Sequence, residues 1–183
     1  MGHSSADPKM NGEEPVDTTN LDRYGRAALP WSRPRDLLAA GPRGPSTTFF
    51  LGTVGPNGRP HAAGVGAIWI AGDFYFTSGP GTRKARNLAG NPSCTLSVRL
   101  EGIDLVCEGE ADRVLDPPTL ERAAALYRQG GWPAEVAGAA LSAPFSAPGA
   151  GPPPWNLYRL TFHTAFGTAT VEPHGATRWR FDR

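Results

Sequence analysis

Apolar and polar residues alternate along much of the chain, and a period of two is typical of β-strands with one buried face. The alternation is clearest where Leu96 and Val98 are flanked by Thr95, Ser97 and Arg99. The same pattern, with its aromatic and β-branched residues, predicts strands over 47–54, 60–70, 74–77, 94–100, 103–115, 157–170 and 177–181.

Turn residues join several of these strands in antiparallel order. Gly55–Gly58 and Glu101–Gly102 each separate two predicted strands by only a few residues, as β-hairpin turns do. Capping residues and helical spacing of apolar residues predict short helices after Ser32, from Thr82 to Gly90 and after Asp116. Together with 23 glycines and 19 prolines, these elements predict a mainly β fold.

The length and composition of the chain predict one domain. A chain of 183 residues can bury a substantial core, and we place the domain over 21–183. Residues 1–20 are polar and rich in Gly, Ser, Glu and Asp, so we predict a disordered tail there. The irregular segment 130–154 carries Trp132 and Phe145, which favours a docked functional loop over a freely moving one.

Charge and cysteine content exclude several classes of protein. A formal net charge of +1 gives no reason to expect binding to nucleic acid or bulk membrane. The chain has neither a window apolar enough to span a bilayer nor the apolar core of a signal peptide over 1–19, so we expect a cytoplasmic protein. Cys94 and Cys107 lie inside predicted strands, where we expect buried reduced thiols rather than a disulfide or a metal site.

No catalytic side chain can be identified in the sequence. It has no P-loop, Rossmann fingerprint, nucleophile elbow or HExxH motif. His61, His163 and His174 lie on different segments without the spacing of ligands. A bound redox cofactor would explain this gap, because the cofactor then carries the chemistry while the protein supplies position and electrostatics.

The stretch after the strand at 74–77 has the features of an anion site. Thr82 is a suitable N-cap, and Arg83, Lys84 and Arg86 crowd the first turn of the helix behind it. Cations are disfavoured at the positive end of a helix dipole, unless an anion is bound against the free backbone N–H groups. We expect a phosphate here, with Thr77, Ser78 and Thr82 as hydroxyl donors; the alternative is a solvated basic helix end.

The strand at 60–70 carries one nearly bare face. Because successive side chains point to opposite faces, Ala62, Gly64 and Gly66 lie together and offer almost no side chain. Glycine inside a strand often marks the close approach of a ligand or of another backbone. A planar ring could lie flat on this face, although a bend in a small barrel explains the glycines equally well.

The run of residues Phe76-Thr77, Thr82-Arg83-Lys84, Asn91-Pro92 and Thr95-Leu96-Ser97 resembles the pyridoxamine 5′-phosphate oxidase-like, FMN-binding split-barrel superfamily. The actinobacterial branch of that superfamily includes many flavin and deazaflavin oxidoreductases. The resemblance covers roughly 47–170 and implies a six-stranded antiparallel split β-barrel with flanking helices. It also implies a homodimer whose cofactor sites lie in the subunit interface. Trp132, Phe145 and Trp155 on nearby loops give more aromatic surface than one monomer is expected to bury, so we place the loop at 130–154 over that site.

The resemblance assigns roles to particular residues. Arg83 and Lys84 with Thr77, Ser78 and Thr82 would hold the cofactor phosphate. Trp155 and Trp179, if carried to the site of the neighbouring subunit, would wall the substrate pocket. The full set of expected cofactor-binding residues is His61, Ala62, Ala63, Gly64, Val65, Gly66, Phe76, Thr77, Ser78, Thr82, Arg83, Lys84 and Asn87.

The implied function is an oxidoreductase that moves hydride between a bound flavin-type cofactor, either deazaflavin F-420 or FMN, and a small organic substrate. FMN-binding members usually carry basic residues along the bare strand, whereas this strand has only His61, so it favours the deazaflavin. The alternatives are pyridoxamine 5′-phosphate oxidase activity, for which His174 and Arg178 are the only candidate substrate-phosphate ligands, and a non-catalytic module that binds flavin or haem.

Overall fold

The structure of the chain, a computed structural model, describes residues 14–41 and 47–183. Residues 1–13 of the predicted tail lie outside the described residues. The helices of the described part are α1 (Ser32–Ala39), α2 (Arg83–Gly90) and α3 (Pro117–Gln129). Its strands are β1 (Asp17–Asn20), β2 (Phe49–Val54), β3 (Pro60–Val65), β4 (Ala67–Ile70), β5 (Asp73–Ser78), β6 (Ser93–Leu100), β7 (Ile103–Arg113), β8 (Glu135–Val136), β9 (Leu141–Ser142), β10 (Asn156–Ala169) and β11 (Ala176–Arg180).

The described strands pair antiparallel throughout, and nine of them form one large sheet. The order along this sheet is β1-β11-β10-β7-β6-β2-β3, while β5 pairs with both β10 and β4. Only Gly66 separates β3 from β4, so the two ends of the sheet meet there and the sheet closes into a barrel. The prediction of a mainly β antiparallel barrel with flanking helices is confirmed.

Apart from the short hairpin of β8 and β9, which lies in the segment 130–154 predicted to be irregular, the strands differ from the prediction in two main places. The strand predicted over 60–70 is interrupted at Gly66; counted as one bent strand, β3 and β4 join β2, β5, β6, β7 and β10 in the predicted six-stranded barrel. The second difference is β1, which lies in the predicted tail but pairs with β11 at the edge of the sheet. Its side chains are mostly exposed, so no hydrophobic alternation marks it in the sequence.

The barrel interior is filled by aromatic and aliphatic side chains, and Trp179 of β11 belongs to this buried core. The Trp179 ring is fully buried, its centroid lies 5.3 Å from that of Trp31, and its indole N–H donates to the Leu29 carbonyl at 3.2 Å. A Cβ at Gly167 would lie 2.5 Å from the Trp179 ring, so only glycine permits this packing. Trp179 is therefore a core residue.

Helix α3 covers one side of the barrel and forms a second hydrophobic cluster with β4 and β5. It begins at Asp116, whose carboxylate accepts a hydrogen bond from the Thr119 N–H at 3.0 Å. Leu120, Ala123 and Tyr127 recur at helical spacing and are buried against the strands. Neither this helix nor any other in the described part of the chain is long and apolar enough to span a membrane.

Both cysteines are free and buried, as predicted. Burial, with a smaller contribution from Glu110 and Asp112, raises the pKa of Cys94 to about 12. Burial also raises the pKa of Cys107. Both thiols therefore stay protonated near neutral pH, where a protonated thiol is a poor nucleophile.

The loop between β9 and β10 is docked against the turn at 79–81, which precedes α2. The Trp155 indole N–H donates to the Gly151 carbonyl at 3.1 Å and so fixes the end of this loop. A Cβ placed on Gly79 would collide with the Ala150 carbonyl oxygen. The close approach of the two backbones therefore requires glycine at position 79.

This contact predicts that Gly79→Ala destabilises the protein by about 1–3 kcal/mol, because neither backbone can move without disturbing its own segment. Gly81→Ala, in the same turn, is the matched control: a Cβ there meets nothing within 4 Å. We expect thermal unfolding to show a lower Tm for the first variant alone. Equal Tm values for the two variants would contradict the docked loop.

Candidate functional site

Helix α2 begins at the predicted N-cap, and the hydroxyl groups of its turn are used within the turn. The Thr82 hydroxyl accepts from the Ala85 N–H at 3.3 Å and donates to the Gly79 carbonyl at 2.9 Å. The Ser78 hydroxyl lies 2.7 Å from the Thr82 oxygen and must be the donor, since the only proton of Thr82 is already engaged. Ser78 and Thr82 thus hold the turn together, and neither has a spare proton for a ligand.

The three cations of the first turn differ in their partners. Arg86 donates to the Gly81 carbonyl at 2.6 Å and so is committed to the turn. Arg83 is exposed and Lys84 is half-buried, and neither has an acidic partner within the described residues. Burial lowers the pKa of Lys84 below its ordinary value, and no carboxylate offsets this effect. An anion beside Arg83 and Lys84 would also meet the first N–H groups of α2, which have no acceptor within the helix.

The bare face of β3 lies on the outside of the barrel. Gly64 is opposite Phe50, whose side chain is 52% exposed. A Cβ at Gly66 would meet nothing within 4 Å, and one at Gly64 would meet only the Thr48 methyl group at 3.7 Å. Together with exposed Ala62, these glycines form a flat surface that a ring or a second chain can approach closely.

The bare face and the start of α2 are neighbours in the barrel. Ala67 of β4 pairs with Phe76 of β5, which puts Gly66 beside Thr77. Thr77 is followed at once by Ser78 and the turn that leads into α2. The two features that the sequence analysis identified separately therefore belong to one region of the surface.

Tyr127 of α3 connects these two features from inside the protein. Its hydroxyl donates to the Gly66 carbonyl at 3.0 Å, and the Tyr75 carbonyl lies 3.4 Å away as a second, weaker acceptor. Burial raises the pKa of Tyr127, an effect that a hydrogen bond from Thr77 only partly opposes, so the hydroxyl remains a donor at neutral pH. In the sequence, Tyr127 continues the helical spacing of the apolar residues Leu120 and Ala123, and nothing there distinguishes it from these neighbours.

Asn87 holds the far end of α2. Its side-chain amide is buried and donates to the Thr53 hydroxyl at 3.0 Å, and that hydroxyl donates to the His61 carbonyl at 3.4 Å. Asn87 therefore ties α2 to β2 and β3. His61 is half-buried at the start of β3 opposite Thr53, and its side chain shares the strand face of Ala63 and Val65 rather than the bare face.

Three of the predicted cofactor-binding residues direct their side chains into the barrel. Phe76 is fully buried and stacks on Tyr158, with 5.4 Å between the ring centroids. Ala63 is opposite the fully buried Leu51, and Val65 packs against the same core. Their side chains cannot contact a ligand on the outer face, since alternate positions of a strand point to opposite faces.

The two tryptophans predicted to wall a substrate pocket are both buried, and the structure corrects this assignment. Trp155 is 3% exposed and lies under the turn at 79–81, where a Cβ at Gly79 would be 3.5 Å from its ring. Trp179 is fully buried beside Trp31 in the hydrophobic core. Bulky aromatic residues near the chain end could equally serve a pocket or a core, and only packing distinguishes the two.

The resulting site is suited to binding rather than to proton transfer. It offers two unpaired cations, the free N–H groups at a helix start and a flat surface of small residues. These features match a planar ligand that carries an anionic group. The chemistry of such a ligand, oriented by the protein, would have to supply the reaction.

Solved structures with the same fold are similar to the chain at low sequence identity. An F-420 reductase is 21% identical, with a TM-score of 0.50 over 72% of this chain and 94% of the other. A NimC/NimA family protein from Clostridium acetobutylicum is 15% identical, with a TM-score of 0.51 over 80% and 91% of the two chains. A heme-binding protein from Mycobacterium smegmatis is 14% identical, with a TM-score of 0.53 over 76% of this chain and 54% of the other.

No curated protein sequence matches the chain significantly. The sequence model of the pyridoxamine 5′-phosphate oxidase family, in contrast, matches residues 42–164, which is well over half of the chain and includes β2 to β7, α2 and α3. The barrel, the helix at 83–90 and this match agree: the chain belongs to the pyridoxamine 5′-phosphate oxidase family.

Proposed function

We propose that the chain is an oxidoreductase that transfers hydride between a bound flavin-type cofactor and a small organic substrate. Arg83 and Lys84 hold the cofactor phosphate at the N-terminus of α2, and the cofactor ring lies against the bare face of β3. Membership of a family with flavin-dependent oxidoreductases, and the fold shared with an F-420 reductase, support this proposal.

The observation that carries the proposal is the half-buried Lys84 without a counter-charge. Withdrawing a cation from water costs free energy that is recovered only by a partner of opposite charge. None of the described carboxylates is that partner, and burial alone lowers the pKa of Lys84. A phosphate held by Lys84, Arg83 and the first N–H groups of α2 would supply the missing charge.

The residues of the chain bind and orient the cofactor. The surface at Gly64 and Gly66 has room for the cofactor ring, since no described atom lies within 4 Å of where a Cβ on Gly66 would be. A flavin-type ring supplies the hydride chemistry when it is bound. The small side chains of the face let the ring approach the backbone, and the cations fix its tail.

We favour deazaflavin F-420 over FMN as the cofactor. The outer face around Gly64 carries Phe50 and the Thr48 methyl group, and Arg99 farther along this face is paired with Asp104 at 2.7 Å. These described residues thus offer no unpaired cation to the negative charge of a reduced flavin. A deazaflavin has carbon at the hydride-accepting position of the ring and suits an uncharged strand. Its acidic tail would run along Arg83, Lys84 and Arg86.

Pyridoxamine 5′-phosphate oxidase activity is less well supported. Of the two candidate ligands for a substrate phosphate, Arg178 already donates to the Thr19 hydroxyl at 2.9 Å. The His174 ring lies 3.7 Å from the Glu172 carboxylate, which would repel a phosphate there. A non-catalytic haem-binding module is the other alternative, because a heme-binding protein shares the fold.

Titration of the apo-protein with deazaflavin F-420, FMN and haem tests the assignment. We expect the deazaflavin to bind most tightly and a substrate to reoxidise its reduced form faster than buffer does. Arg83→Ala with Lys84→Ala should weaken binding at least tenfold, because each charge-assisted hydrogen bond contributes about 1.5–3 kcal/mol. The control is Arg23→Ala with Arg122→Ala, two exposed arginines outside α2.

Unchanged affinity in a folded Arg83–Lys84 double variant would contradict the phosphate site. FMN binding at least tenfold tighter than the deazaflavin would make the protein a flavoprotein instead. Tight binding of haem alone, with no flavin-type cofactor bound, would favour the non-catalytic module.

The shifted pKa of Lys84 predicts a dependence of cofactor affinity on pH. The free protein has a Lys84 pKa below the ordinary 10.5, and a bound phosphate raises that pKa, so binding takes up a proton once the free amine begins to deprotonate. Affinity should therefore fall as the pH rises through the Lys84 pKa of the free protein.

The matched variant is Lys84→Arg, because a guanidinium stays charged over this range. Its affinity should be lower or equal at neutral pH but should lack the additional decline at alkaline pH. Ionisation of the cofactor affects both proteins alike, so the difference between their pH profiles isolates Lys84. Identical slopes would show that Lys84 does not contact the phosphate.

We also propose that the protein is a homodimer and that the outer face of the barrel forms the interface. One row across the sheet joins Gly64, Phe50, Ser97, Val106 and Phe166 by their pairing. Phe50 is 52% and Val106 is 36% exposed, so the row is an apolar surface of the single chain. A second copy packed there would cover this row and enclose the ring surface at Gly64.

Phe50→Glu should shift the protein from dimer to monomer, measured by light scattering, while the monomer keeps its fold because the side chain is half in solvent. Leu115→Glu is the control, since Leu115 is 57% exposed but lies beyond the end of β7. A wild-type protein that stays monomeric at all concentrations would contradict the proposal.

A further inference from the structure

Tyr127 is the polar side chain that links the two halves of the proposed cofactor site from beneath. It is buried on α3, and its ring packs edge-on against Trp132 with 5.0 Å between the centroids. Its hydroxyl donates to the Gly66 carbonyl at 3.0 Å and lies 3.4 Å from the Tyr75 carbonyl. One buried group thus contacts the backbone at the bend and the strand that leads to α2.

The hydrogen bond from Tyr127 is made to a residue, Gly66, that is not itself paired with another strand. Gly66 lies between the paired residues of β3, which end at Val65, and those of β4, which begin at Ala67. A Cβ on Gly66 would meet no atom within 4 Å, so no side-chain packing holds this residue on its outer side. The strand pairs on either side hold Val65 and Ala67, and the Tyr127 hydroxyl adds the contact that ties Gly66 itself to Tyr75 of β5.

A ligand that contacts both features has a limited reach, since its ring and its phosphate are joined by one short covalent chain. The ring surface is on β3 and at Gly66, whereas the phosphate site is on α2, and the two lie on different segments of the chain. If their separation fluctuates, the ligand cannot satisfy both sites at once and loses the advantage of binding through two linked contacts.

We propose that Tyr127 is a positioning residue that sets the distance between the ring surface at Gly66 and the anion site at the start of α2. The inference rests on the proposed function but goes beyond it, because Tyr127 touches neither the phosphate nor the exposed face. It assigns the hydroxyl a role in coupling the two subsites, not only in satisfying buried polar groups.

The test compares intact ligands with ligands that lack the phosphate. FMN and riboflavin form one pair, and deazaflavin F-420 and its phosphate-free ring alcohol form the other. Tyr127→Phe keeps the aromatic ring and removes only the hydroxyl. We expect its affinity for the intact ligand to fall about tenfold or more, while its affinity for the phosphate-free ligand changes less than twofold.

Tyr75→Phe is the matched control. Tyr75 is also buried, but its hydroxyl is turned to Arg159, and its backbone carbonyl remains available to Tyr127. This variant should lose a comparable amount of stability and keep the ratio of the two affinities at the wild-type value.

Equal losses for the intact and the phosphate-free ligand, or no loss for either, would overturn the positioning role and leave the cofactor site standing. A Tyr127→Phe chain that fails to fold while Tyr75→Phe folds would show that the hydroxyl is structural, which also overturns the proposal. A wild-type protein that binds none of the four ligands would overturn the proposed function, and the inference with it.

Discussion

Closure of the barrel at Gly66 is the constraint on which the rest of the molecule depends. The sheet runs from β3 through β10 to β5 and β4, so its two ends meet only if the chain bends between Val65 and Ala67. The bend puts the outer face of β3 next to the end of β5. The turn after β5 then starts α2, and the basic first turn of that helix comes to lie near the bare face.

The position of the cations of α2 is explained by this geometry. Arg83 and Lys84 lie at the end of a helix where cations are disfavoured, and the hydroxyls of Ser78 and Thr82 are consumed in capping. The turn is thus stable without a ligand, while its cations remain unneutralised. A site built in this way is preorganised, because an incoming anion need not break the cap in order to bind.

The fold could be predicted from the sequence because each strand carries its own alternation, and because local signals such as Thr82 mark helix ends. Two features could not. β1 is exposed and is defined by its pairing with β11. A tryptophan such as Trp179 is a residue type that often lines a pocket, yet its ring packs on Gly167 inside the barrel. In both cases the position of the residue depends on partners distant in the sequence. The residue pattern of a single strand does not show which partners it will have.

The parts of the candidate site also divide into those marked by a local sequence pattern and those that depend on distant partners. Cations on one helical turn and small residues on one strand face are local patterns, so both could be identified in the sequence. Their adjacency depends on pairing between Ala67 and Phe76, and their link depends on a hydroxyl from α3, about fifty residues farther along the chain than Thr77. Tyr127, Cys94 and Cys107 all have raised pKa values and stay protonated near neutral pH. These buried groups are therefore poorly suited to acid–base chemistry, which agrees with the proposal that a bound ring supplies the reaction.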